Sequence, residues 1–285
     1  MIESKARRGN DVSATFDEIA ILAQGHGSGR KADVKPDGKV TSVLLLGASG
    51  FLGPALRDAF GAERAVMTHL SHSGEGSLFF DACALGIMPM FVSSDAVFDG
   101  SRAYWSEDDE PIPILTNGRQ KLEVERHLAA LPPPWIIVRL PKLISPERNA
   151  RCFLSGWAEG LGRRGRILCG TDQHFTSAAV PNAARAIAQL VQARALGLYH
   201  LGGSERLSRR APLGAVLGEY RKFEKPMTEV VECSLRDIPV LEPRPLDTSL
   251  RSDRFKADFG TPVRVAGEVA RAAVPSYFAA QDGGK

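Results

Sequence analysis

The chain has 285 residues, 44% of them hydrophobic and 24% charged, which is enough apolar mass for a full core and excludes wholesale disorder. Its 36 Lys plus Arg against 33 Asp plus Glu leave a net charge of +3, which excludes a dedicated nucleic-acid or membrane-surface binder. Apolar runs such as residues 19–23 fall far below the ~18 residues of a membrane span, and the polar start offers no export signal.

Residues 1–40 read as a flexible N-terminal arm, polar and rich in Gly and Lys. Within it Thr15 and Glu18 form a candidate capping box, which predicts a short helix over 16–24 that ends at Gly25. Residues 25–39 have the composition of a linker. From residue 43 the pattern changes. Apolar runs predict strands at 43–46, 65–69, 77–80, 88–93, 135–140 and 197–201, with helices at 54–60, 118–130 and 181–193. Strands apolar throughout, alternating with amphipathic helices, argue for an α/β fold: a Rossmann-like, mainly parallel sheet covered on both faces. On this reading 41–140 is the dinucleotide-binding core, and 141–285 is a smaller substrate-binding region interleaved with it. The four cysteines, Cys83, Cys152, Cys169 and Cys233, form no Cys-x-x-Cys pair and read as reduced thiols of a cytoplasmic protein.

The first chemical signal is Gly47-Ala48-Ser49-Gly50-Phe51-Leu52-Gly53, which follows the first buried strand and opens a helix. Gly47 permits the tight turn, Gly50 lets the backbone approach a pyrophosphate, and Gly53 allows close helix packing. The amides of Ser49, Phe51 and Leu52 belong to the same cradle. At the end of the next strand, where an acidic residue would select NAD, the chain has Thr68-His69-Leu70-Ser71-His72. Nothing there repels a 2′-phosphate, so NADP is expected, with His69 at the ribose and NAD left open. No Cys, Asp or Glu lies beside His69 and His72, so no metal site is expected.

The second signal runs from Phe91-Val92-Ser93-Ser94-Asp95-Ala96-Val97-Phe98-Asp99-Gly100 to Asn117-Gly118-Arg119-Gln120-Lys121, and later includes Arg244-Pro245-Leu246-Asp247-Thr248-Ser249-Leu250. This pattern resembles the dTDP-4-dehydrorhamnose reductase branch of the extended short-chain dehydrogenases over about residues 42–265. The resemblance implies an NADP-dependent reductase of a nucleotide sugar. Ser94 would polarise the carbonyl, Ser93 and Lys121 would line the nicotinamide side, and Arg244 would bind the anionic nucleotide. Arg139 matches a family arginine, although a buried ion pair accounts for it equally well. The resemblance allows a homodimer.

Two departures stand out. The family's Tyr-x-x-x-Lys helix has Asn117 in the tyrosine's place. A carboxamide has no accessible pKa near neutrality and cannot act as general acid. Tyr104, Ser93 and His127 are the nearby alternatives, and each reads more simply as a surface or packing residue. The segment between Gly53 and Ser93 is also too short for the usual set of parallel crossovers, each of which needs about a dozen residues. One βαβ passage is therefore expected to be missing, the one that lines the nicotinamide side in the family, and the sheet to be shortened or rearranged. If the strand carrying Ser94 lies next to 43–46 the groove keeps its floor; if it is displaced the floor is lost. Two functions stay open: an atypical reductase, and an NADP-binding regulatory protein similar to the reductase-like subunit of methionine adenosyltransferase.

Overall fold

The computed structural model describes residues 20–25, 40–46, 51–61, 65–67, 88–145, 152–260, 274, 275 and 278, with 20–25, 40–46 and 65–67 as backbone only. The first half gives β1 (Ala20–Gly25), β2 (Val40–Leu46), α1 (Gly53–Phe60), β3 (Ala65–Met67), β4 (Met88–Ser94), α2 (Thr116–Ala129) and β5 (Ile136–Leu140). The second half continues with β6 (Lys142–Ile144), α3 (Phe153–Leu161), β7 (Gly165–Gly170), β8 (His174–Phe175), β9 (Ser177–Ala179), α4 (Val180–Gln192) and β10 (Gly197–His200). It closes with β11 (Leu207–Ser208), α5 (Arg210–Tyr220), β12 (Thr228–Cys233), β13 (Asp247–Thr248) and α6 (Asp253–Phe259). The predicted strands at 43–46, 88–93, 135–140 and 197–201 and the three predicted helices are all present. The predicted strand at 77–80 lies outside the described residues.

The main sheet has six strands in the order β10-β5-β4-β1-β2-β3. Five run parallel, and β1 runs antiparallel between β2 and β4. This corrects one expectation and decides an open alternative. Residues 20–25 form a strand, where a helix over 16–24 is predicted, so this part of the arm is no appendage. The position of the strand carrying Ser94, left open above, is the displaced one, because β1 pairs with both β2 and β4, and the sheet is rearranged as expected. The reason is physical. A short apolar run fits a helix or a buried strand equally well. With no parallel strand between them, β2 and β4 would each present a row of unpaired N–H and C=O groups, which cost free energy when buried. One extended segment satisfies both rows, and an antiparallel neighbour needs no crossover.

Side-chain alternation assigns the two faces of the sheet. Met90, Val92, Ile136, Val138 and Leu140 pack in one buried cluster with Leu56 and Phe60 of α1 and Ala183, Ile187 and Leu190 of α4. Phe91 and Arg139 point the other way, onto Lys121 and Glu125 of α2. Helices therefore cover both faces. Beyond residue 140 the chain also makes three small sheets, β11-β8-β13, β12-β7 and β6-β9. Helices α3 and α5 share a second core through Leu154, Trp157, Leu161, Leu213, Val216 and Tyr220. No helix among the described residues is long and apolar enough to cross a membrane.

Candidate active site

The parallel strands end at one edge, where β2 leads to the glycine loop and β4 ends in Ser94. Gly47, Ser49, Gly50 and His69 lie outside the described residues. The far side of the loop is described. Phe51 is half-buried, Leu52 and Gly53 are buried, and α1 starts at Gly53 with Pro54 in its first turn, a position that tolerates a missing N–H.

Ser94 closes β4 in extended geometry, and its Oγ accepts the amide of Ala96 at 3.2 Å, starting a 3-10 turn over Asp95–Val97. Helix α2 lies directly on that turn. A Cβ at Gly118 would sit 2.0 Å from the Ala96 carbonyl oxygen, so only glycine permits the approach. The helix start is held from the far end of the chain, where the Glu242 carboxylate accepts the Thr116 amide and hydroxyl. Those bonds hold the Glu242 carboxyl below its ordinary range, and an anion at a helix N-terminus is favourable. Asn117 and Lys121, four residues apart, are consequently stacked on one helix face. Asn117 is half-buried. Lys121 is buried, its Nζ donates to the Val92 carbonyl at 3.2 Å, and it sits 5.2 Å from the centre of the Phe91 ring. Ser93 is buried, and its Oγ has no hydrogen-bond partner among the described residues.

The choice left open at Arg139 falls to the ion pair. Its guanidinium donates to both Glu125 oxygens, with Nη2 2.7 Å from Oε2, and both side chains are almost fully buried. Its Nη1 also lies 3.4 Å from Nε2 of His200. A guanidinium only donates, so Nε2 accepts and the other ring nitrogen donates to the Trp105 carbonyl at 3.3 Å. Burial, followed by the charge of Arg139, pushes the His200 pKa down to about 3. Burial also raises the Glu107 carboxyl, which accepts the His200 amide at 3.0 Å.

Arg244 is exposed on the segment that follows Glu242. Arg209 lies over the rings of Trp157 and Phe153, 5.2 and 5.7 Å from their centres, and donates to Gln173 Oε1 at 3.1 Å. Gln173 in turn donates to the Pro245 carbonyl at 3.4 Å. Burial, and then the like charge of Arg244, lower the Arg209 pKa. The charge of Arg244 thus reaches Arg209, and positive charge of this kind suits an anionic ligand. No signal in the sequence pairs residues 173, 209 and 244, because only the fold brings them together.

The other candidates are accounted for. Tyr104 is 53% exposed in a left-handed loop conformation. His127 is exposed and sits 2.9 Å from the Glu123 carbonyl. A cavity of about 410 Å³ lies between α5, β7 and β12, lined by Cys169, Ser208, Leu213, Val230 and the Arg210–Glu232 ion pair, and no predicted site residue lines it. Burial pushes the Cys169 thiol up, away from the reactive thiolate. No group of three or more potential metal ligands occurs among the described residues.

Comparison with known proteins bears on the family and the fold. A dTDP-4-dehydrorhamnose reductase of Sinorhizobium fredii is 28% identical over 205 residues, covering 67% of each chain. The methionine adenosyltransferase 2 subunit beta of Rattus norvegicus is 24% identical over 161 residues, 53% of this chain and 48% of that one, so the chain matches about half of that relative. The solved dTDP-4-dehydrorhamnose reductase of Bacillus anthracis in complex with NADP shares the fold, with a TM-score of 0.65 at 16% identity over 82% of this chain and 96% of that one. The family described as RmlD substrate binding domain matches residues 72–277, most of the chain, and the protein belongs to that family.

Proposed function

We propose that the protein is an NADP-dependent reductase of a keto group on a nucleotide sugar, working without the family's tyrosine. The observation that carries this reading is the seating of α2 on the turn after Ser94, which Gly118 permits, so that Ser94, Asn117 and Lys121 share the edge at which β2 feeds the glycine loop. Family membership and the resemblance to dTDP-4-dehydrorhamnose reductase support it.

The residues present fit a dinucleotide. Ser93 offers a buried hydroxyl still without a partner among the described residues, and Gly53 opens α1 with no side chain in the way. On this reading Gly47, Ser49, Gly50, Phe51, Leu52 and Gly53 hold the pyrophosphate, and His69 meets the ribose phosphate. Ser93 and Lys121 hold the nicotinamide side, and the bound cofactor supplies the hydride. Strand β1 stands where the family has a parallel strand, with Ala20 paired to Leu46 at the end of β2 and to Phe91, three residues before Ser94. Ser94 orients the substrate carbonyl, Asn117 can only hydrogen-bond to it, and Arg209 with Arg244 takes the anionic nucleotide. We place the protein in the cytoplasm, where free thiols such as Cys152, Cys169 and Cys233 persist.

Asn117 favours a second reading, a fold kept for binding alone, as the similarity to the methionine adenosyltransferase subunit suggests. Titration with NADPH separates the two. Fluorescence enhancement on binding, weakened in Lys121→Met, together with NADPH consumption when dTDP-4-dehydrorhamnose is added, is the expected result. Binding without consumption selects the second reading, and no binding overturns both.

A further inference from the structure

We infer that Lys142 is the proton donor that replaces the tyrosine. This rests on the reductase reading above and goes beyond it. The reaction requires a group at the carboxyl edge that can part with a proton, and Asn117 cannot. Tyr104 points into solvent, His127 lies ten residues along α2 from Asn117, roughly 15 Å up the helix, and His200 is sealed in the core between Arg139 and Trp105. Lys142 stands where the donor is needed. Strand β5 ends at Leu140, which pairs with Ser94, and the chain resumes as β6 with Lys142 two residues later. The Lys142 ammonium turns back to Asp95, the residue after Ser94, with Nζ 3.4 Å from Oδ2. That carboxylate is itself fixed, because Thr248 Oγ1 donates to the same oxygen at 2.6 Å.

A second observation points to a ligand at this place. Lys142 pairs with Ser177 across β6 and β9, which puts both side chains on one face. Ser177 is 1% exposed, and its Oγ has no hydrogen-bond partner among the described residues. Buried hydroxyls normally have partners, so the face shared with Lys142 has a polar position left for a substrate oxygen. The Lys142 side chain is 32% exposed, so it is reachable from solvent while Asp95 holds its ammonium.

The step balances as follows. Hydride adds to the carbonyl carbon, the C=O π pair moves to oxygen, and that oxygen takes a proton from Lys142 Nζ. The resulting amine is reprotonated by water. One NADPH and one proton are consumed for each ketone reduced to a secondary alcohol.

Lys142→Arg keeps the charge and the Asp95 pair but does not release its proton. Single-turnover NADPH oxidation with dTDP-4-dehydrorhamnose is expected to slow ~10²–10⁴-fold in Lys142→Arg and Lys142→Met, with NADPH binding retained. Adding Asn117→Tyr to Lys142→Arg is expected to recover at least a tenth of the native rate, roughly the scale of one acid. Independently of activity, acetylation of Lys142 by an N-hydroxysuccinimide ester, read by peptide mass spectrometry, is expected to slow when dTDP and NADP are bound. Native-like turnover in Lys142→Arg, or acetylation unaffected by the nucleotides, overturns the inference and leaves the reductase reading standing. A native protein that binds NADPH without oxidising it overturns both.

Discussion

The two sides of the main sheet reach the same strand direction by different routes. From β4 through β5 to β10 the strands are parallel and their side chains meet helices α2 and α4 in the usual way, with the Arg139–Glu125 pair sealed between sheet and helix. Between β2 and β4 the place is filled from the N-terminus by a strand of opposite direction. The comparison teaches that a slot in a sheet is specified by its unpaired backbone groups before it is specified by connectivity. Any segment that can lie extended and apolar there will serve, and the carboxyl edge on either side keeps its place.

The largest expected effect is on the β4–β10 side. Glu125→Ala leaves Arg139 charged and buried without its carboxylate, at an expected cost of about 3–5 kcal/mol, whereas exchanging both for methionine is expected to restore most of the loss. Denaturant unfolding of the single and double variants reads both. Equal destabilisation by the two would contradict a buried pair. On the rebuilt side Ile21→Pro removes a ladder N–H from a central strand and is expected to cost about 3 kcal/mol. Were residues 20–25 the predicted appendage, the melting temperature would not move.

Within the first pH unit below 6.5, the smallest effect is a pH dependence. His200 is held neutral in the folded protein, with a pKa depressed to about 3, whereas in the unfolded chain it titrates near its ordinary 6.5. Between those values the unfolded state binds the extra proton. His200 is therefore without effect above about pH 6.5, and stability falls as the pH drops through the window, by up to about 1.4 kcal/mol per pH unit. His200→Gln should remove one proton from the acid slope of the unfolding free energy, and an unchanged slope would show that His200 is accessible to protons in the fold.

The legible part of the fold was the part written in local pattern. Strands β2, β4, β5 and β10 are apolar runs bounded by helical stretches, and buried parallel strands read that way. Strand β1 was not legible, since the run at 19–23 suits a helix equally well and the decision is made by two strands distant in sequence. The two- and three-residue strands of the second half are too short to show any period. The site divides similarly. Ser94, Asn117 and Lys121 sit in one contiguous pattern. The partner of Arg139 lies on another element, and the grouping of Arg209, Gln173 and Arg244, like that of Lys142 with Asp95, exists only where the chain crosses itself.

Rapid mixing of the native protein with stoichiometric NADPH and excess dTDP-4-dehydrorhamnose, followed at the nicotinamide absorbance with the sugar product identified by mass spectrometry, tests the account most directly. It predicts loss of one NADPH per protein and a sugar heavier by two hydrogens. Unchanged absorbance from a protein that demonstrably holds both ligands would contradict it.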